Sequence, residues 1–289
     1  MSNSLKAIGV AIVVIAVAAS AVVYLRSSAG EKVITQHGEN TQVWWIASDP
    51  HLGNLQARPL DSLQVAIQDV DELGIADHAA ILGDLVYNYD TYVSDFVQMM
   101  NSLNVEDWYY VTGNHDFNQD TGENFFPISY RGIDVLGIRF IFIFTEGPGG
   151  STMDGVMGDE QLAWLENELE THENQPVFMF SHQPYSNWNV WDNLAPLIQS
   201  QGNVKVWFCG HMHVWTINEN VQPYNFIEIC DSSLDWSYNY NGVFMYLQRE
   251  GDTVDVTLKF RDHQDHEWIN VPVVGGGTID NLSFSVKVG

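Results

Sequence analysis

Residues 43–51 read Val-Trp-Trp-Ile-Ala-Ser-Asp-Pro-His, an unbroken apolar run that stops at a carboxylate and an imidazole two positions apart. A short apolar run closed by a turn signal predicts a buried strand, and the polar pair then belongs to the loop that leaves it. The pattern recurs along the chain. Leu60, Leu63, Ile67, Val70 and Leu73 fall at helical spacing, and Ala79–Leu82 is a second strand ending at Gly83-Asp84. A helix is predicted over Val93–Leu103, after which Trp108–Thr112 runs into Gly113-Asn114-His115-Asp116. Ile138–Phe144 is a further strand, and the helix containing Gln161–Leu165 ends before Pro176. Val177–Ser181 then leads to His182, and Val204–Cys209 to Gly210-His211-Met212-His213. Every polar cluster follows a strand. In open α/β sheets ligands bind outside the carboxyl ends of the strands, so these loops are expected to converge on one site.

Beyond residue 221 the pattern changes to strands without helices, at Tyr224–Cys230, Val243–Arg249, Val254–Arg261 and Leu282–Val288, with turn signals at Glu250-Gly251-Asp252 and Gly275-Gly276-Gly277. The expected fold class is α/β (α+β), a two-layer sheet sandwich flanked by helices. No linker, repeat or low-complexity stretch divides it, so residues 42–289 are read as one domain and residues 27–41 as a polar tether.

Residues 1–26 read differently. Residues 7–25 are uncharged and apolar or small, close to the ~20 residues a helix needs to cross a bilayer. An uncleaved N-terminal membrane anchor is the first reading. A cleaved signal peptide is the second and a pilin-like processing site at Leu5-Lys6-Ala7 the third. A lone N-terminal anchor ahead of one folded domain implies a domain outside the cytoplasm, at the cell surface or in the periplasm, or secreted if the segment is cleaved.

The chain carries 37 acidic and 11 basic residues, a net charge of −26. Such a surface repels the phosphate backbone and excludes general nucleic-acid binding. It also repels small phosphate esters unless cations in the site reverse the local sign. The acidity itself reads as an adaptation to saline solvent.

The donors at the strand ends suit metal ions. Asp49 and His51, and again His211 and His213, are spaced i, i+2, which lets both side chains of each pair face one way. Asp84 adds a carboxylate, Asn114 an amide oxygen and His182 an imidazole. Carboxylates and imidazoles together suit Mn, Fe or Zn. These motifs, in this order and spacing, closely resemble the calcineurin-like metallophosphoesterase superfamily, over almost the whole of residues 43–215.

The resemblance implies a four-layer α/β/β/α sandwich of two mixed sheets. It also implies two divalent or trivalent metal ions, one held by Asp49, His51, Asp84 and His213, the other by Asp84, Asn114, His182 and His211, with Asp84 as the bridge. The implied activity is hydrolysis of small phosphomonoesters or phosphodiesters by a metal-bridging hydroxide. His115 would protonate the leaving group, with Asp116 holding its ring and raising its pKa.

Gly83-Asp84-Leu85-Val86-Tyr87 is similar to the metal-ligating segment of purple acid phosphatases, but His51 fills the place their tyrosine takes, so Tyr87 is read as a packing or substrate-facing residue. Gly113–Asp116 and Ser181-His182-Gln183-Pro184 are closer to the cyclic-nucleotide phosphodiesterase branch, where a second histidine commonly stands at the position of Gln183.

The remaining histidines read as surface, capping or turn residues, with His263 and His266 in one polar turn. Tyr185, Trp188 and Trp191, like Trp236, Tyr238 and Tyr240, follow site loops and could stack on a planar leaving group or pack in the core. Asn281-Leu282-Ser283 is a lone glycosylation-like sequon. Cys209 and Cys230 sit in apolar strands, as buried thiols or a single bridge. The competing functional reading is a non-catalytic surface structural or binding protein on the same scaffold, assembling through its N-terminal helix.

Overall fold

The computed structural model describes residues 37–54, 59–118, 120–127, 130–146, 157–185, 188–231, 234 and 240–289. Its elements run β1 (Thr41–Ala47), α1 (Pro59–Leu73), β2 (His78–Leu82), α2 (Val93–Ser102), β3 (Asp107–Val111), β4 (Arg131–Val135), β5 (Ile138–Phe142), α3 (Asp159–Thr171), β6 (Val177–Phe180), α4 (Trp188–Gln201) and β7 (Val204–Cys209). They continue with β8 (Thr216–Val221), β9 (Phe226–Cys230), β10 (Asn241–Glu250), β11 (Thr253–Asp262), β12 (Glu267–Ile269), β13 (Val271–Pro272), β14 (Thr278–Ile279) and β15 (Asn281–Lys287).

One sheet has the order β12-β11-β10-β1-β2-β3, and β15 shares the outer edge of β11 with β12; the other has the order β4-β5-β6-β7-β9-β8. Both are mixed. The β1-β2-β3 and β5-β6-β7-β9 pairings are parallel, and antiparallel strands complete each sheet.

The alternation along β1 shows how the layers form. Trp44 and Ile46 point into the core between the sheets, where they join Phe140, Phe142, Phe178, Phe180 and Phe208. Val43, Trp45 and Ala47 point the other way, onto a second core with Leu63, Ala66 and Val70 of α1 and Phe96 and Met100 of α2. A strand buried on both faces needs apolar residues at successive positions, hence the continuous run in the sequence. A third core packs Leu165 and Leu169 of α3 and Leu194 and Ile198 of α4 on the outer face of the second sheet. The result is the helix–sheet–sheet–helix sandwich expected.

The parallel phenylalanines also form a ladder. Phe142 stacks on Phe180 at 4.6 Å, and Phe180 on Phe208 at 5.2 Å. This ladder aligns the ends of β5, β6 and β7, from which two of the site loops leave.

Among the described residues no helix is long and apolar enough to cross a membrane. The anchor expected at residues 7–25 lies outside the described residues. So do Trp236 and Tyr238, while Tyr185 and Tyr240 are buried in the helix-packed cores. Burial leaves neither tyrosine free to stack on a substrate. Cys209 and Cys230, paired in register across β7 and β9, form a disulfide.

His263 and His266 do more than form a polar turn. Together with Arg261 they close on Asp69 of α1, which accepts two hydrogen bonds from Arg261, at 2.7 and 2.8 Å, one from His263 at 2.8 Å and one from His266 at 2.6 Å. Burial pushes the Asp69 carboxyl up, but these donors outweigh it and hold the group well below the usual carboxylate range. A carboxylate depressed in the folded state adds stability that is present above its unfolded pKa, near 3.9, and lost as pH falls below it. Asp69→Asn leaves Arg261 buried without its partner and is expected to cost about 3–5 kcal/mol near neutral pH. Denaturant unfolding checks this, and the gap to wild type is expected to narrow below about pH 4.

Candidate metal centre

Seven side chains from five loops meet at the carboxyl ends of the central strands. Asp49, His51, Asp84 and His213 each offer a ligand atom, all within 4.8 Å of one another, and so do Asp84, His182 and His211. Asp84 belongs to both groups. Asn114 joins the second, its Oδ1 lying 3.1 Å from His182 Nε2 and 3.0 Å from His211 Nδ1.

The contacts within each group are short. His213 Nε2 is 3.1 Å from Asp49 Oδ1. Asp84 Oδ2 is 3.0 Å from His51 Nε2 and 3.4 Å from His182 Nε2. The backbone locks several of these groups. His211 N–H donates to Asp49 Oδ2 at 3.0 Å and His115 N–H to Asp84 Oδ1 at 2.7 Å. On the far side of its ring, His182 Nδ1 donates to Leu82 O at 2.8 Å, which leaves Nε2 to face the site.

The donors themselves test whether cations fit. His182 Nε2 and His211 Nδ1 lie 3.3 Å apart around the single oxygen of Asn114. Electron-pair donors converge there, and the favourable partner for such a cluster is a positive ion. Asp84 is held strongly acidic: burial raises its pKa, and the neighbouring His182 and His51 more than reverse that. His182 is shifted the opposite way, its burial overcome by Asp84. A carboxylate buried this deeply is one that a bound cation would compensate.

Reaching this geometry requires unusual backbone. Asp49, His51, Asp84, His211 and His213 all have positive φ, between 45° and 67°, a region costly for residues with a Cβ and concentrated at functional sites. Gly113 packs so closely on Asp84 that a Cβ there would collide with the Asp84 carboxylate and main chain. Gly83, at φ 84°, is pressed likewise against the His182 ring.

His115 lies outside both donor groups, and its surroundings differ from the expectation. Asp116 does not hold its ring. The Asp116 carboxylate is buried under the loop, accepting N–H groups from Val86 at 2.9 Å and Gly113 at 2.8 Å. Burial, with Asp84 nearby, pushes its pKa up to about 7. The group next to His115 Nδ1 is Asn88 Oδ1, at 3.1 Å, and Tyr87 stacks on the ring at 4.6 Å. Burial lowers the His115 pKa, opposite to the elevation expected from Asp116. Asn88, in the left-handed region at φ 60°, is a site residue that the motif reading missed. The only hint in the sequence was its place four residues after Asp84.

Gln183 is fully buried and braces the His182 loop. Its Nε2 donates to Glu146 at 3.4 Å and its backbone N–H to Thr145 Oγ1 at 3.2 Å. Glu146, another residue missed, is buried, which raises its pKa to about 8. Gly113→Ala is expected to displace Asp84 and weaken metal affinity about 10–100-fold, measured by titrating Mn into stripped protein, while the far-ultraviolet circular dichroism is retained.

A family model described as calcineurin-like phosphoesterase matches residues 44–215, a span that contains every candidate ligand named above and His115. Among solved structures, a dimetal phosphatase from Danio rerio superposes with a TM-score of 0.64 at 13% identity, covering 86% of this chain and 99% of its own. At that identity the likeness is one of fold. A Vps29 from Chaetomium thermophilum aligns with a TM-score of 0.40 at 11% identity, covering 87% of this chain and 100% of its own, and nothing is drawn from it. No curated protein matches the chain significantly. The ordered ligand motifs, the sandwich and the match over residues 44–215 together establish that the chain belongs to the calcineurin-like phosphoesterase family.

Proposed function

We propose that this protein hydrolyses small phosphate esters at a dinuclear metal centre, with His115 as general acid. The observation that carries the reading is the sharing of Asp84 between two compact donor groups, with His115 beside them and in neither. Asp49, His51, Asp84 and His213 would hold one ion, and Asp84, Asn114, His182 and His211 the other. Bound cations supply an acidified water as nucleophile and neutralise phosphoryl charge.

The chain's own residues do the rest. A new P–O bond forms to water oxygen, the P–O bond to the ester oxygen breaks, and the departing alkoxide takes a proton. His115 is placed to give it. Its backbone N–H is tied to Asp84, its Nδ1 faces the Asn88 carbonyl and its face is held by Tyr87, so Nε2 is left for the leaving group. Asp116 fixes the turn beneath through Gly113 and Val86. Its role is to position the loop.

The reading extends to location. An apolar N-terminal segment and a disulfide, a bond that persists in oxidising compartments, support a membrane-anchored domain outside the cytoplasm.

Chelation of purified protein is expected to abolish hydrolysis of 4-nitrophenyl phosphate or its bis-ester, and Mn or Zn to restore it. His115→Ala is expected to keep its metal and lose roughly a hundred- to ten-thousandfold in kcat. A metal-loaded protein inert on both esters, or full activity in the variant, contradicts the assignment.

A further inference from the structure

The mouth of the metal centre has an uneven chemistry. Five large apolar side chains are prominently exposed among the described residues: Tyr89, Met212, Val214, Trp268 and Val274. Three of them belong to two of the five loops that build the site. Met212 and Val214, 47% and 54% exposed, flank His213, whose own side chain is 22% exposed. Tyr89, 57% exposed, directly follows Asn88, the residue against His115. Each of the three adjoins a site residue in sequence, which puts exposed apolar surface on two of the loops that carry the donors.

The charges around them point the same way. Each lysine and arginine among the described residues is held by other groups. Arg139, Arg261 and Lys287 pair with carboxylates, Lys205 and Arg249 bind main-chain oxygens, and Arg131 and Lys259 lie over aromatic rings. The residue after Tyr89 is the exposed acid Asp90. Metal ions can neutralise one phosphoryl group, but a second anionic group on the substrate would meet the field of a chain of net charge −26, and among the described residues every lysine and arginine already has another partner.

We infer that the ester cleaved at this site carries an uncharged, apolar group on its phosphate, seated against Tyr89, Met212 and Val214. The inference rests on the phosphoesterase reading and narrows it to a substrate class. Esters bearing a carboxylate or a further phosphate are disfavoured by the same surface.

The test uses the full chain reconstituted with Mn and three alkyl esters whose leaving alcohols have closely similar acidity: hexyl phosphate, 6-hydroxyhexyl phosphate and 5-carboxypentyl phosphate. Hexyl phosphate is expected to show the highest kcat/KM, about tenfold or more above the carboxylate ester, with the difference in KM. Met212→Ser with Val214→Ser, and separately Tyr89→Ser, are expected to shrink that ratio while the metal content stays at the wild-type value. Equal or better hydrolysis of the carboxylate ester overturns the inference, as does a ratio untouched in both variants. If 4-nitrophenyl phosphate is hydrolysed without any preference among the three, only the substrate class falls. If none of the four esters is hydrolysed, the phosphoesterase reading falls with it.

Discussion

Asp84 is a carboxylate with almost no contact with water, and removing such a group from solvent costs several kcal/mol unless positive charge and hydrogen bonds surround it. Its two oxygens face His51, His182 and the backbone N–H of His115, and those contacts dictate much of what surrounds them. The chain must leave β2 in a left-handed turn to present the carboxylate. Gly113 must lack a side chain to let the neighbouring loop close over it. Strands β1, β2, β3, β6 and β7 must end at one level, so that five loops deliver donors to a common point. The phenylalanine ladder and the inter-sheet core provide that alignment, and in this sense the packing serves the electrostatics.

The same electrostatics explain how so acidic a chain can accept a phosphate ester. Away from the centre, carboxylates dominate, and the described cations are engaged with other groups. Within the centre, imidazoles and carboxylates converge to create a demand for positive charge. The field an incoming ester feels therefore depends on whether the donors hold cations. His115 lies outside both donor groups, with Asn88 at its Nδ1 and Tyr87 stacked on its ring.

Much of this was legible from the order of residues, for physical reasons. Strands buried on both faces require unbroken apolar runs, so β1, β2, β6 and β7 announced themselves, and the polar residues at their ends could be assigned to one site. Elements that lacked this signature were missed. The β4 strand, Arg-Gly-Ile-Asp-Val, and the β8 strand, Thr-Ile-Asn-Glu-Asn-Val, mix polar and apolar residues near the sheet edges. The α4 helix contains Pro196, which reads as a stop, yet Leu194 and Ile198 bury one turn apart and hold the helix on the sheet. Sequence proximity also misled. Asp116 adjoins His115, but its carboxylate turns under the loop to the Val86 and Gly113 N–H groups, and the ring's partner arrives from Asn88. The bridge between Cys209 and Cys230 depended on β7 and β9 being neighbours in register, a fact about topology that spacing does not carry.

The central claim is that one carboxylate joins two metal sites, and counting ions tests it most directly. Calorimetric titration of Mn or Zn into the metal-stripped protein is expected to show two equivalents bound per chain, reduced to one by His213→Ala, with both weakened by Asp84→Asn. A single equivalent in the wild type, or an Asp84→Asn protein that binds two ions undiminished, would contradict the account.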